Sequence, residues 1–404
     1  MWPTQRKDLK YICPRKLSFL AMTVLLTGGV HRLLLMERSL KSSRTLATFS
    51  RTPDTSTILT DNLPTPPWIS WRVCENECCT NALQVIRAVK NAEPNLVCFD
   101  LNFGEVSEQR FIHLTTFSPA FSFYLSMAQS FFTSIAAHSS FSGEVIWRIE
   151  DDATIEPVLQ SNFTAVGVAT VGHSVHVERG DPSQYTTLVP NFHFIQHDGY
   201  ASLSQHAVNS ITPTESLHPQ VFWAGSTTGV PCRGTEPCAH TCEDLQRFQL
   251  VRLSREIEWL NFSITNAIQW CAGNLAEMRR ENMMTNHVEE KVWMNYRGIL
   301  DVDGNVDAWG LRWRLATNGV VFKVNSDYIN HYSAELIDGI HFIGISKNLT
   351  DLRTKTAIIQ NSDAESLNYL ANVSNNARQI IANITYESAV LHSAHLLTTF
   401  FNSM

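Results

Sequence analysis

The segment Lys291–Lys323 constrains the fold more than any other stretch of this 404-residue chain. Within it, an apolar run leads into the acidic glycine turn Asp301–Asn305, an amphipathic segment follows, and a β-branched run ends at Lys323. That order predicts strand, loop, helix and strand, the unit from which nucleotide-binding α/β domains are built. Ligands of such domains bind at the carboxyl ends of the strands, where this loop would lie.

The side chains of this loop and helix suit a nucleotide diphosphate. Asp303 and Asn305 offer hydrogen-bonding groups, Trp309 offers an aromatic face, and Arg312 and Arg314 offer guanidinium groups. A guanidinium pairs bidentately with phosphate, and an aromatic ring packs against a base or a sugar. The sequence therefore predicts these five residues in a site for a nucleotide diphosphate.

Charge is distributed unevenly along the chain, whose net charge is −7. Residues 1–51 hold ten Lys/Arg against two Asp/Glu, so the remaining residues hold 21 against 36. Because phosphate contacts require a basic surface, an acidic body excludes nucleic acid as a partner. A hydrophobic fraction of 44% in a chain of this length allows one large or two medium domains.

The N-terminus has the pattern of a membrane anchor. A basic stretch, residues 1–16, precedes the mostly apolar run Leu17–Met36, and a helix of that length spans a bilayer core of about 30 Å. The basic flank predicts a cytoplasmic tail and a lumenal body in the endoplasmic reticulum or Golgi. Residues 37–67 are expected to form a flexible stem. A cleaved signal peptide on Leu17–Val30, or an organellar transit stretch behind it, is the alternative.

Cysteine placement also indicates an oxidising compartment. Eight cysteines follow the apolar run, an even number that permits four disulfides. They cluster in 74–98 and 232–271, so pairing is expected within each cluster. The competing interpretation is a zinc site in 232–242, which holds three cysteines and one histidine but lacks the usual C-x2-C spacing.

Alternation of strands and helices in the body predicts an α/β fold with two Rossmann-like domains facing a cleft. The expected first domain is 68–205, and the expected second domain, with its C-terminal helices, is 206–404. The polar segment Ser202–Pro219 is the expected hinge. Gly143–Ile149 and Asn191–Ile195 have the composition of strands.

The acidic turn and the sequence that follows it resemble the signature of glycosyltransferase family 90. This is the capsule- and lipopolysaccharide-modifying family that includes protein O-glucosyltransferases. The resemblance rests on Asp301–Asn305, Gly319–Lys323, His341–Ile345 and Asn348–Leu352, and extends with gaps from Glu144. It implies a GT-B fold and transfer of glucose or xylose from a UDP-sugar to a protein or glycan hydroxyl. The acceptor and the base would then belong to 68–205, and the nucleotide-sugar to 206–404. The resemblance also implies that no metal or other cofactor is needed.

The same resemblance implies a phosphate-binding turn after a strand. Gly225, Ser226 and Thr227 offer backbone amides and hydroxyls, which suit an anion. In the family a turn of this kind contacts the donor phosphates, and an arginine at the start of the next helix joins it. Here Arg247 takes that position.

The predicted catalytic base is Asp151. A carboxylate at the end of the strand Gly143–Ile149 can accept a proton from an acceptor hydroxyl. The family's base ends a similar strand, which implies Asp151, with Asp152 as the near alternative. The competing interpretation is that the two aspartates cap the following helix.

Two further functions remain open from the sequence. Asp301 and Asp303 form a D-x-D motif, which could hold a divalent ion in a metal-dependent glycosyltransferase. Gly310 stands where O-glucosyltransferases have an arginine, so Arg312 or Arg314 would have to stabilise the leaving diphosphate. Departures of this kind also allow a lumenal carbohydrate-binding protein that has lost turnover.

Overall fold

A computed structural model describes residues 70–74, 78–89, 93–102, 108–115, 118, 121–229 and 241–404. These residues form two α/β halves, each built on its own sheet. The strands are β1 Ser70–Val73, β2 Leu96–Asn102, β3 Glu108–His113, β4 Ser142–Arg148, β5 Ala169–Gly172, β6 Val175–His176, β7 Thr187–Leu188, β8 His218–Ser226, β9 Leu260–Asn266, β10 Tyr296–Asp301, β11 Val320–Val324, β12 Tyr328–Ile329 and β13 Ile343–Ile345. The helices are α1 Thr80–Ala88, α2 Ser122–Ala136, α3 Pro157–Ala165, α4 Phe192–Gln196, α5 Ala201–Asn209, α6 Gln246–Leu253, α7 Leu275–Arg280, α8 Glu290–Trp293, α9 Leu311–Leu315, α10 Leu352–Thr356, α11 Ala364–Asn383 and α12 Tyr386–Ser403.

The predicted anchor Leu17–Met36 and stem 37–67 lie outside the described residues. Within the described ranges, no helix combines the length and apolar character needed to cross a membrane.

The second half contains a five-stranded parallel sheet in the order β13-β11-β10-β8-β9. Strands β10 and β11 are buried almost throughout, as expected of a parallel sheet covered by helices on both faces. The predicted strand, loop, helix and strand are β10, the 302–310 loop, α9 and β11. Asp301 and Lys323 lie opposite each other at the carboxyl ends of these two strands. The sequence prediction for this unit is therefore confirmed.

The first half contains a six-stranded mixed sheet in the order β1-β3-β2-β4-β5-β7. Strand β2 runs antiparallel to both of its neighbours, β3 and β4, whereas β4, β5 and β7 are parallel. The predicted strand Gly143–Ile149 corresponds to β4, in which Trp147 is fully buried. Because β4 ends at Arg148, Asp151 lies on the loop at its carboxyl end.

The strand predicted at Asn191–Ile195 is wrong. Phe192–Gln196 forms helix α4 instead, and the Asn191 side chain caps it by accepting a hydrogen bond from the Phe194 amide at 2.9 Å. The expected hinge Ser202–Pro219 includes most of α5, so the first eight of its residues are helical and not irregular. Short apolar runs carry too little periodicity to separate strand from helix.

The two halves are joined by a strand pairing and by the last helix. Strand β6 of the first half pairs antiparallel with β12 of the second. The last helix, α12, returns to the first half, where Val390, Ala394 and Leu397 enter its hydrophobic core. The expected 206–404 unit thus supplies part of the core of the other half.

Disulfides connect elements within each half. Cys79 pairs with Cys98, which fastens the start of α1 to β2, and Cys242 pairs with Cys271. Pairing within each cysteine cluster is confirmed for these two bonds. Because Cys242 is bonded to Cys271, it is not available to the alternative zinc site, whose other residues lie outside the described ranges. Among the described residues, no group of three or more His, Cys, Asp or Glu side chains is arranged to hold a metal ion.

Candidate active site

Asp151 lies where the two halves meet, and each half supplies a hydrogen bond to its carboxylate. The Tyr124 hydroxyl donates to Oδ1 at 3.0 Å, and the Asn305 side-chain amide donates to Oδ2 at 3.0 Å. The Tyr124 ring stacks on Phe192 with centroids 4.5 Å apart. Burial and the adjacent carboxylate raise the pKa of Tyr124, so its phenol stays protonated and remains a donor. This arrangement brings the predicted base next to the acidic glycine loop.

Asp152 has a different environment from its neighbour. Its carboxylate accepts from the Thr154 amide at 3.0 Å and from Arg179 at 2.6 Å. Burial opposes ionisation, but the hydrogen bonds from Thr154 and the charge of Arg179 hold the pKa of Asp152 below its ordinary value. Neither aspartate caps α3, whose preceding residue is Glu156. Asp152 is therefore engaged in a turn and an ion pair.

Arg247, near the start of α6, holds the two predicted donor-binding loops together. Its guanidinium donates to the carbonyls of Asp303 at 2.8 Å and Ser226 at 3.1 Å, and to the Thr228 hydroxyl at 2.6 Å. A further bond reaches the Val302 carbonyl at 3.1 Å. The turn after β8 and the loop after β10 are thus joined through one side chain.

The turn after β8 is shaped by close packing. A Cβ on Gly225 would lie 2.6 Å from the Trp223 ring, so the backbone can pass there only as glycine. The Thr227 hydroxyl is fully buried and exchanges hydrogen bonds with the Ile268 carbonyl and amide, both at 2.8 Å. Thr227 therefore anchors the turn, and Ser226 lies half-buried beside it.

The two arginines of α9 occupy different places. Arg314 pairs with the buried Asp301 at 2.5 Å. Arg312 is buried and donates to the carbonyls of Ile381 and Ile384, both at 3.0 Å, at the end of α11. Arg312 was expected to hold the diphosphate, but its guanidinium is buried and donates to these two carbonyls and to the Ser204 hydroxyl.

A polar pocket lies beside these loops, at the carboxyl ends of β10 and β11. Its cavity volume is about 360 Å³, within the range of ligand pockets. Charged, amide, hydroxyl and apolar side chains contribute to its walls, and Lys323 brings an ammonium group. Among the described residues, no carboxylate forms an ion pair with Lys323. Lining residues include Asp301, Asp307, Lys323, Ser326, Tyr328, Asn330, Leu336 and Phe342.

Asp307 is a buried carboxyl in this pocket. It accepts hydrogen bonds from the Ser174 hydroxyl, which belongs to the first half, and from the Asn330 amide at 2.9 Å. Burial raises its pKa to about 6, although these hydrogen bonds work in the opposite direction. The Trp309 indole donates to the same Ser174 hydroxyl at 3.2 Å. Trp309 therefore contacts the first half through Ser174, and its predicted place in the donor pocket stays a prediction.

The raised pKa of Asp307 predicts a pH-dependent stability. The pKa of Asp307 is about 6 in the folded protein and has its ordinary value of 3.8 in the unfolded chain. The folded protein therefore binds this proton more tightly than the unfolded chain does. The free energy of unfolding should therefore fall, by on the order of 3 kcal/mol, as pH rises from about 4 to about 6. Asp307→Asn should remove that fall, because an amide can still accept from Asn330 and donate to Ser174. Thermal denaturation between pH 4 and 7 measures this, and identical profiles for the two proteins would contradict it.

Three candidate site residues were not predicted from the sequence: Tyr124, Lys323 and Asp307. Lys323 had a signal, since it ends a predicted strand and ligands of such sheets bind at the carboxyl ends of the strands. Asp307 follows the acidic turn by two residues and could have been suspected for the same reason. Tyr124 lies in an aromatic helix with no motif around it, so only the packing of α2 against the β4 loop reveals it.

The match to a family model concerns the half that contains this pocket. Residues 215–402 match the family model described as Glycosyl transferase family 90. The second half of the chain is thus similar to members of that family. Protein O-glucosyltransferase 2 of Danio rerio is 30% identical over 122 residues, which is 30% of this chain and 24% of that protein. The chain thus spans about a quarter of the length of this curated relative.

Solved structures similar to the chain share little sequence with it. Anabaena HepE in complex with UDP-glucose is 8% identical, with a TM-score of 0.37, over 72% of this chain and 87% of that one. TarM is 12% identical, with a TM-score of 0.34, over 57% of this chain and 50% of that one. Residues 215–402, which match the family model, contain Arg247, Asn305 and the polar pocket, whereas Asp151 and Tyr124 lie outside them.

Proposed function

We propose that this chain is a glycosyltransferase that moves a sugar from a UDP-sugar to a hydroxyl of a protein or glycan. One observation carries the proposal: a carboxylate of the first half, Asp151, is hydrogen-bonded to Asn305 in the family 90 loop that Arg247 joins to the turn after β8. A base for the acceptor and a loop for the donor are thereby adjacent. Two facing halves with a site between them are the arrangement called GT-B.

The proposed reaction uses the chain's own residues as follows. Asp151 accepts the proton of the acceptor hydroxyl while that oxygen attacks the anomeric carbon of the donor. The bond from that carbon to the diphosphate oxygen breaks, and negative charge develops on the diphosphate. Backbone amides of the turn Gly225–Gly229 and the Lys323 ammonium group are the donors we assign to that charge. The polar pocket, with Asp307 and Asn330, would hold hydroxyl groups of the nucleotide-sugar.

Glucose or xylose is the proposed sugar, and the lumen of the endoplasmic reticulum or Golgi is the proposed location. The sugar is supported by the relative named Protein O-glucosyltransferase 2. The location is supported by the disulfides Cys79–Cys98 and Cys242–Cys271, since such bonds persist in oxidising compartments. The anchor Leu17–Met36 stays a prediction.

The test is release of nucleoside diphosphate by the full chain, produced through an oxidising secretory pathway, from a panel of UDP- and GDP-sugars. We expect UDP release from UDP-glucose or UDP-xylose, with or without chelator. Activity that disappears with chelator would transfer the central role to Asp301 and Asp303 as metal ligands. Binding of free sugar without consumption of any nucleotide would identify a carbohydrate-binding protein.

A further inference from the structure

A chain of side-chain hydrogen bonds connects Asp151 to the turn after β8. The Asn305 amide donates to Asp151 Oδ2 at 3.0 Å, and the Asn305 Oδ1 atom accepts from Gln269 Nε2 at 3.0 Å. Gln269 Oε1 in turn accepts from the backbone amide of Gly229 at 3.1 Å. We call the three residues Asn305, Gln269 and Gly229 the relay. The partners of the Asn305 and Gln269 side chains define which atom of each amide is the oxygen and which is the nitrogen.

The far end of the relay is an amide that an anion can use. The Gly229–Gln269 hydrogen bond is solvent-exposed, and Gly229 closes the turn whose amides we assign to the donor diphosphate. The carbonyl oxygen of Gly304 lies 3.7 Å from the position of a Cβ on Gly229, so the turn and the acidic loop are in close proximity. A phosphate oxygen that takes the Gly229 amide must displace Gln269 Oε1.

We propose that donor binding releases the catalytic base through this relay, an inference that rests on the proposed function. Without donor, Gly229 holds Gln269, Gln269 holds Asn305, and Asn305 occupies one oxygen of Asp151. When a diphosphate takes the Gly229 amide, Gln269 Oε1 loses that donor and the Gln269 side chain can turn away. Asn305 then loses the hydrogen bond that it accepts from Gln269 Nε2. Oδ2 of Asp151 then becomes available to an acceptor hydroxyl, while Tyr124 continues to orient the carboxylate through Oδ1. The acceptor is thereby engaged only on an enzyme that already holds its donor.

UDP binding measured by calorimetry tests the relay directly. Gln269→Ala removes the group that competes for the Gly229 amide, so UDP should bind roughly fivefold more tightly, the worth of about one neutral hydrogen bond. Gln269→Glu places an anionic acceptor there and should weaken UDP binding roughly tenfold. Gln269 is exposed, so both variants should fold. Gln249→Ala, which removes an exposed glutamine bonded to the Glu243 carbonyl, is the matched control and should not change the affinity.

Coupling to the base is tested with Asp151→Asn. Because linked sites affect one another reciprocally, this substitution should change UDP affinity in the wild type but not in Gln269→Ala. Weaker UDP binding by Gln269→Ala would mean that Gln269 contacts the donor itself, and this would overturn the relay. Equal effects of Asp151→Asn in both backgrounds would overturn it as well. A wild-type protein that does not bind UDP would overturn the proposed function together with the relay.

Discussion

Asp151→Asn should lower kcat by about two to four orders of magnitude, the usual contribution of a positioned general base. The amide of asparagine can still accept one hydrogen bond from Tyr124 or Asn305, so the site should keep its shape. It cannot take the proton of the acceptor hydroxyl. Affinity for UDP should stay within about fivefold of the wild type, because Asp151 is connected to the turn after β8 through Asn305 and Gln269 and not by a direct contact among the described residues. Steady-state transfer kinetics and calorimetry measure the two quantities.

Asp152→Asn is the matched control for this experiment. The Asp152 carboxylate accepts from Thr154 and pairs with Arg179, which is largely exposed. Loss of the Asp152 charge should therefore lower the free energy of unfolding by no more than about 1 kcal/mol. Transfer activity should remain within a few-fold of the wild type. An inactive Asp152→Asn beside an active Asp151→Asn would move the base to the second aspartate.

Arg247→Met should reduce kcat/KM by about two to three orders of magnitude, since the loop and the turn lose their common donor. The carbonyls of Asp303, Val302 and Ser226 would each lose a charged partner. The free energy of unfolding should therefore fall by about 2 kcal/mol. Arg247→Lys should restore little of the activity, because one ammonium group cannot span acceptors that a planar guanidinium reaches.

Arg252→Met separates this effect from the loss of a positive charge on the same helix. Arg252 lies on the surface of α6, 3.8 Å from Glu243, and its removal should leave both stability and activity near wild-type values. If Arg247→Lys recovered most of the activity, the role of Arg247 would be its charge alone.

Several parts of this site could be predicted because they depend on local sequence. The run before Asp301 and the run ending at Lys323 each carry enough β-branched and apolar residues to be recognised as strands. Parallel pairing of those strands then places the acidic loop at the ligand edge of the sheet. The position of Asp151 followed from strand β4 in the same way.

The parts that failed depend on contacts between residues far apart in sequence. Arg312 and Arg314 lie on one short helix, and the sequence does not say that one meets the end of α11 while the other meets Asp301. Gln269 showed no signal at all, since its two partners come from different loops. Cysteine clustering indicated the half in which each disulfide forms, but the pairs themselves are set by how α1 and β2 pack.

The return of α12 to the first half has a consequence for how the protein is made. The sheet of that half is synthesised first, but Val390, Ala394 and Leu397 fill its core only after the whole second half has left the ribosome. The first half therefore exposes apolar surface until α12 has been synthesised and packs against it. Expression of residues 70–209 without α12 should therefore give a protein that aggregates, whereas co-expression with a chain that supplies α12 should keep it in solution.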